Sequence, residues 1–194
     1  MISRTVNKPP GKIGQHPSHM QQLRELFDRL TGRGKSGAGT EIEDAMTAFD
    51  AGVEAFKSGG NRKAIALFTR ALELSPTTPG IYQHRGLAYA ESGRHLEAIA
   101  DYDVAVRLNP TYPDTYVDRG NSQHALKEYN RAIRDYSEAI RLRPNFAEAY
   151  ANRAAVHVES GDEAAAAADV ESAHGYGVDR EALDELLEEA RRKR

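Results

Sequence analysis

Apolar residues recur along the chain at the three-to-four-residue spacing of amphipathic helices, and the helical segments come in pairs. Residues 113–126 and 129–142 form one such pair. The apolar or small residues on one side of these segments are Tyr116, Gly120, Ala132, Ile133, Tyr136, Ala139 and Ile140. Because connections this short make neighbouring helices antiparallel, the pattern predicts an all-α protein built from helical hairpins.

The helix pairs repeat with a period of 34 residues. The residues that keep this step include Tyr82, Tyr116 and Tyr150; Arg85, Arg119 and Arg153; Asp101, Asp135 and Asp169; and Pro76, Pro110 and Pro144. A fixed period predicts stacked units that contact their neighbours, rather than one closed enzyme core. The register gives four repeats, at 45–78, 79–112, 113–146 and 147–180.

Two further patterns predict how these units pack. Small residues recur on the first helices, opposite a ring on the second helices, which predicts close helix crossings. The small residues are Gly52, Gly86, Gly120 and Ala154, and the rings are Phe68, Tyr102 and Tyr136. The recurring arginines and aspartates have two interpretations: buried ion pairs that set the register of the repeats, which we favour, or a site for phosphate or acidic groups.

The first 44 residues form a basic arm, predicted to carry one helix at about 19–31 and a flexible tether. Its apolar stripe consists of Met20, Leu23, Phe27 and Leu30. A helix this short is marginally stable alone in water, so its apolar stripe must pack against another surface. That surface could belong to the protein's own repeats, to a second copy of the chain or to another protein. Residues 1–35 have a net charge of +5, whereas residues 36–194 have −8.

A last helix is predicted at 181–194, where Leu183, Leu186, Leu187 and Ala190 share one side. It would cap the open end of the stack and cover its apolar surface. The basic run at the end of this helix, residues 191–194, complements the helix dipole in the favoured interpretation. A nucleic-acid or targeting patch is the alternative.

Enzymatic and metal chemistry have little support in the sequence. The chain has no cysteine, which excludes disulfides and cysteine-ligated metals. The Gly-Lys-Ser run at 34–36 lacks the upstream glycine of a phosphate-binding loop, because Arg29 stands there, and His16 and His19 have no third ligand. We therefore expect no catalysis, no cofactor and no metal. No segment has the apolar length of a membrane span or secretory signal, so the expected location is cytoplasmic.

The second repeat contains Tyr82-x-x-Arg85-Gly86-x-x-Tyr89, followed by Ala98, Tyr102, Ala105 and Pro110. This pattern resembles the tetratricopeptide repeat (TPR) family, and the resemblance covers residues 45–180. Departures are Gln123 and His157 in place of Tyr89, and Val170 in place of the ring. The resemblance implies a right-handed superhelix, an α-solenoid, whose first helices line a concave groove. Such grooves bind a helix or peptide of a partner protein without catalysis.

By this resemblance, the residues facing the groove are Phe49, Val53, Phe56, Leu87, Asp114, Val117, Asp118, Asn121, His124, Glu148 and Asn152. One branch of the family clamps the C-terminal carboxylate of chaperones with lysine, arginine and asparagine at these positions. Only Asn121 and Asn152 remain here, among acidic residues that would repel a carboxylate. The expected partner of this adaptor or scaffold is therefore a helix or extended peptide with basic residues.

Two other roles remain open from the sequence. The chain is also consistent with a subunit or assembly factor of a larger complex, anchored through its N-terminal arm. Binding of nucleic acid or another anionic surface through the basic arm is the third hypothesis, and it would make binding steeply dependent on salt.

Overall fold

The structure, a computed structural model, describes residues 37–194, and this part of the chain folds into nine α-helices with no strand. The helices are α1 (Gly37–Lys57), α2 (Asn61–Leu74), α3 (Pro79–Glu91), α4 (His95–Leu108), α5 (Pro113–Ala125), α6 (Tyr129–Leu142), α7 (Ala147–Ser160), α8 (Glu163–Gly175) and α9 (Arg180–Lys193). The predicted arm helix at 19–31, with its proposed docking residues Met20, Leu23, Phe27 and Leu30, lies outside the described residues.

Within residues 41–194, successive helices pack as pairs and the pairs stack in chain order. Helix α3 packs on α4, α5 on α6 and α7 on α8, while α1 meets α2 where Phe49 contacts Phe68. Each second helix also packs against the first helix of the next pair, α2 on α3, α4 on α5 and α6 on α7. The predicted all-α stack of helical hairpins, an α-solenoid, is therefore confirmed for these residues.

The recurring prolines end one helix and begin the next. Helices α2, α4 and α6 each stop two residues before a proline, and the residues between, Ser75, Asn109 and Arg143, have φ of −140°, −140° and −136°. This non-helical conformation follows from the clash between a proline ring and the residue before it, which disfavours the helical region. Pro79 and Pro113 then occupy the first turn of α3 and α5, where no amide hydrogen is needed.

The recurring glycines allow the two helices of a pair to approach closely. A Cβ atom added at Gly86 would lie 2.6 Å from Cε1 of Tyr102, whose ring is fully buried. The equivalent distances are 2.6 Å from Gly52 to Phe68 and 2.7 Å from Gly120 to Tyr136. The predicted glycine–ring crossing is thus present in three repeats, and it fixes where each ring enters the core.

One arginine in each of repeats 2, 3 and 4 joins its own helix pair to the pair before it. In the third repeat, Arg119 Nε and Nη2 donate to the two carboxylate oxygens of Asp135, and Nη1 donates to Asp103 of the second repeat, each at 2.7 Å. The ring of Tyr116 lies 5.6 Å from this guanidinium, and its hydroxyl donates to the Pro110 carbonyl at 3.0 Å. The same geometry joins Arg85 to Asp101 and Thr69, and Arg153 to Asp169 and Ser137.

These contacts decide between the two interpretations of the recurring charges. The three arginine side chains are only 16–20% exposed, and a carboxylate occupies both donors of each guanidinium fork. Bidentate pairs of this kind have strict geometry, so they suit a role in register. The prediction of buried ion pairs is confirmed, and the anion-binding interpretation is wrong because no fork is open to a ligand.

Helix α9 covers the apolar end of the stack. Leu183, Leu187 and Ala190 are buried in one cluster with Ala151, Val158 and Val170 of the last repeat. Arg191 donates to Glu163 at 3.1 Å and to Glu188 at 2.7 Å. Part of the basic run therefore forms ion pairs within the fold.

Gly86→Ala is expected to lower the free energy of unfolding by about 1–3 kcal/mol, because the new methyl group overlaps a ring that has no room to move. Gly80→Ala is the matched control: it lies on the same helix, and nothing stands within 4 Å of its added Cβ. It is expected to be neutral or slightly stabilising. Urea unfolding of both variants measures the difference, and equal stability would contradict the packing argument.

Asp135→Asn is expected to lower the free energy of unfolding by about 2–4 kcal/mol, because it leaves part of the buried Arg119 guanidinium unpaired. The control is Glu138→Gln on the same helix, where the carboxylate also accepts two hydrogen bonds from one arginine, Arg141, but in an exposed pair. That change is expected to cost less than about 1 kcal/mol. Thermal and urea unfolding compare the two, and similar losses would show that burial is not the deciding factor.

Candidate protein-interaction face

The first helices of repeats 2, 3 and 4 lie side by side and are joined through their side chains. The contacts are Gln83 Nε2 to Asp118 Oδ2 at 2.9 Å, Asn152 Nδ2 to Asn121 Oδ1 at 3.0 Å, and His124 Nε2 with Glu159 Oε2 at 3.0 Å. We call this surface, which carries the predicted groove residues of α1, α3, α5 and α7, the first-helix face. The structure brings Asp118, Asn121, His124 and Asn152 together on it.

The predicted anchors at the apolar end differ in what they expose. Phe49 is only 5% exposed, and its ring packs 5.7 Å from that of Phe68 and 5.0 Å, edge-on, from that of His84. It therefore contributes to the core and offers little surface to a partner. Val53 and Phe56 are half-buried, which leaves part of each side chain accessible.

Two predicted groove residues further along the stack, Val117 and Leu87, also differ in how much of the side chain is exposed. Val117 is 3% exposed and belongs to the buried cluster around Tyr136, so the structure places it in the core rather than on the open face. The reason is geometric: helix α5 packs against helices on more than one side, and Val117 lies on the side that packs against α6 and α7. Leu87 is half-buried and lines a cleft together with Asp118 and Asn121.

Asp118 and Glu91 are the acidic residues that line this cleft, and Asp118 lies on α5. Its carboxylate is half-buried and accepts one hydrogen bond, from Gln83. Burial raises the pKa of Asp118 to about 7; the Gln83 bond opposes this effect, and the charges of Asp114 and Glu148 add to it. Asp118 is therefore poised between its neutral and charged forms near neutral pH, which makes it sensitive to any charge that approaches.

Two further acidic residues of the first-helix face, Asp114 and Glu148, interact with an arginine of the protein itself, Arg143. Arg143 donates to Asp114 at 2.6 Å and 3.3 Å, and its guanidinium lies 4.3 Å from the centre of the Phe146 ring. Burial and the charge of Asp114 raise the pKa of Glu148, whereas Arg143 lowers it. Asp114 is thus less available to a partner's cation than the sequence predicts.

Asn121 connects the face to the core. Its Oδ1 accepts from the Tyr136 hydroxyl at 2.8 Å and from Asn152 Nδ2 at 3.0 Å, so both lone pairs of this oxygen are used. Tyr136 is fully buried. The repeat before it has Tyr102 at the ring position but Leu87 in place of the asparagine, and therefore has no such acceptor.

Two family models match the chain, one described as tetratricopeptide repeat at residues 49–113 and one as TPR repeat at residues 120–161. The chain is a tetratricopeptide repeat protein. None of the curated proteins matches it significantly. Among solved structures, it is similar to the first TPR of Spaghetti (RPAP3) bound to the HSP90 peptide SRMEEVD, with 29% identity and a TM-score of 0.58 over 59% of this chain and 90% of that one.

Two other solved structures support the fold alone. MamA is 20% identical, with a TM-score of 0.67 over 81% of this chain and 85% of that one. The second TPR domain of the human RPAP3 protein, in complex with the HSP70 peptide SGPTIEEVD, is 24% identical, with a TM-score of 0.58 over 60% of this chain and 97% of that one.

Some groups that shape the face of this tetratricopeptide repeat protein were not predicted. Arg143 lies after the end of α6, at a position occupied by Ser75 and Asn109 in earlier repeats, so no periodic signal marked it. Glu159, which contacts His124, lies near the end of α7. Comparing Asn121 with Leu87 across the repeats would have marked the Tyr102 hydroxyl as exceptional.

Residues 41–194 contain no group of three or more side chains placed to hold a metal ion. Nor is any helix within residues 37–194 both long and apolar enough to cross a membrane. The Gly-Lys-Ser run at 34–36 and the His16/His19 pair lie outside the described residues.

Asp118→Asn is expected to stabilise the protein above neutral pH. Because folding raises the pKa of Asp118 from 3.8 to about 7, the folded state binds the proton more tightly, and the wild type loses stability as pH rises from about 4 to 7. Asparagine keeps the bond from Gln83 without this loss. Allowing for solvent screening of the half-exposed carboxyl, the advantage is about 1–2 kcal/mol at pH 8 and vanishes below pH 4. Unfolding across this pH range measures it, and a constant difference would contradict it.

Proposed function

We propose that this tetratricopeptide repeat protein is a non-catalytic adaptor that holds a helix or extended segment of a partner protein on its first-helix face. The observation that carries the proposal is the continuous surface formed by neighbouring first helices. Half-buried apolar side chains, Val53, Phe56 and Leu87, supply anchors at one end, and linked polar groups follow at the other. Apolar anchors with a few placed polar groups are what peptide-binding grooves use.

The similar structure with a bound peptide supports the same use of the fold. Spaghetti, 29% identical to this chain, is bound to the HSP90 peptide SRMEEVD. The present face has different chemistry, however. It carries Asp118 and Glu148, and Arg143 is paired with Asp114. We therefore propose a partner segment with basic rather than acidic side chains.

Selection from a displayed library of random peptides, using the full chain as bait, would supply a binding peptide. Leu87→Ala is expected to weaken that peptide's affinity about tenfold, since it removes a half-buried anchor from the face. Leu96→Ala is the matched control, because Leu96 lies on the second helix α4 and is 69% exposed. Fluorescence anisotropy measures both.

The pattern of losses decides the location of the site. A loss confined to Leu87→Ala supports the first-helix face. A loss confined to Leu96→Ala would move the site to the second helices, and failure to select any peptide would reject the adaptor role.

A further inference from the structure

The cleft that contains Leu87 lies between the first helices of repeats 2 and 3. It has a volume of about 420 Å³ and is open to solvent. Its lining includes Leu87, Ala90 and Glu91 of α3, Tyr102 of α4, and Asp118 and Asn121 of α5. The cleft therefore combines apolar side chains with carboxylates on a surface where a partner segment is proposed to lie.

Two hydroxyl groups in this cleft make no hydrogen bond within residues 41–194. They belong to Tyr102, which is fully buried, and Ser122, which is 1% exposed. Buried hydroxyls nearly always have a hydrogen-bond partner, and one left without a partner destabilises the protein. In the next repeat, the ring of the equivalent tyrosine, Tyr136, lies against Gly120, and its hydroxyl donates to Asn121. The ring of Tyr102 lies against Gly86 in the same way, but the residue after that glycine is Leu87, whose side chain cannot accept a hydrogen bond.

The Asp118 carboxylate also has an oxygen without a hydrogen-bond donor in the described part of the chain. Its Oδ2 accepts from Gln83, whereas its Oδ1 accepts no hydrogen bond from residues 41–194. No lysine, arginine or histidine of that part of the chain forms an ion pair with it, although Asp114, one turn earlier on the same helix, is paired with Arg143. A half-buried carboxylate without a cation favours the approach of one.

We propose that this cleft receives one lysine side chain of the partner segment. The ammonium group donates to Asp118 Oδ1 and to the Tyr102 hydroxyl, and the methylene stem lies along Leu87 and Ala90. The inference rests on the adaptor function proposed above and adds to it the identity of one recognised side chain.

The free acceptors favour an ammonium over a guanidinium. Arginine binds best where both oxygens of a carboxylate are open to its planar fork, but one oxygen of Asp118 is already occupied by Gln83. The amide oxygen of Asn121 is also fully used, by Tyr136 and Asn152. A compact ammonium needs only separate single acceptors, such as the remaining carboxylate oxygen and the Tyr102 hydroxyl. An anionic group is disfavoured by Asp118 itself.

The test uses a peptide selected on the full chain, remade with its lysine replaced by norleucine or by arginine. On the wild type, norleucine is expected to weaken binding about tenfold, and arginine about threefold or more. On Asp118→Asn, the difference between the lysine and norleucine peptides is expected to shrink to about threefold or less, because only the Tyr102 hydroxyl still distinguishes them. Tyr102→Phe is expected to weaken the lysine peptide about threefold without lowering the melting temperature, since it removes an unpaired hydroxyl. Asp114→Asn, an acid already paired with Arg143, is the matched control and is expected to change affinity less than twofold.

The outcomes separate this inference from the adaptor function. If no peptide is selected, the adaptor function itself fails. Suppose instead that peptides bind and that Leu87→Ala weakens them. The lysine site is then wrong, and the adaptor function stands, if the norleucine peptide binds the wild type as tightly as the lysine peptide does. The same holds if norleucine lowers the affinity for Asp118→Asn as much as it lowers the affinity for the wild type. Equal binding of the arginine peptide would overturn the preference for lysine.

Discussion

The bidentate ion pair between an arginine and an aspartate sixteen residues later is the interaction on which the stack depends. The aspartate lies on the second helix of the same repeat, and the remaining guanidinium donor reaches a residue sixteen positions earlier, in the preceding repeat. One side chain thereby fixes the register within a repeat and between repeats. Because the fork is planar and largely desolvated, a slip of either helix by one residue would leave a charge buried without its partner.

This fixed register is what makes differences between repeats meaningful. Leu87 and Asn121 occupy the same place in two successive repeats, as do Tyr102 and Tyr136, so each can be compared directly. The residues that recur are used in packing, whereas the residues that vary set the chemistry of the first-helix face. The candidate site is therefore found where the period is broken, not where it is kept.

The same distinction explains how much the sequence could predict. Helix pairing, the proline boundaries, the glycine–ring crossings and the buried ion pairs all repeat, so each was predicted from several copies at once. The exposure of single side chains is not periodic. Phe49 is buried because Phe68 and His84 surround it, and Asp114 is paired because Arg143 lies beyond the end of α6. Both depend on side-chain contacts that do not recur from repeat to repeat, which residue spacing alone does not specify.

The unsatisfied groups of the Leu87 cleft have a physical consequence for stability. An unpaired tyrosine hydroxyl and a half-buried carboxylate both lower the stability of the free protein, and neighbouring repeats show that the chain can satisfy the same positions, as Tyr136 and Asn121 do. A repeat stack tolerates such a local cost because each repeat is held by its neighbours on both sides. A ligand that satisfies both groups at once would recover that free energy on binding, so the same defect that weakens the unbound repeat favours its complex.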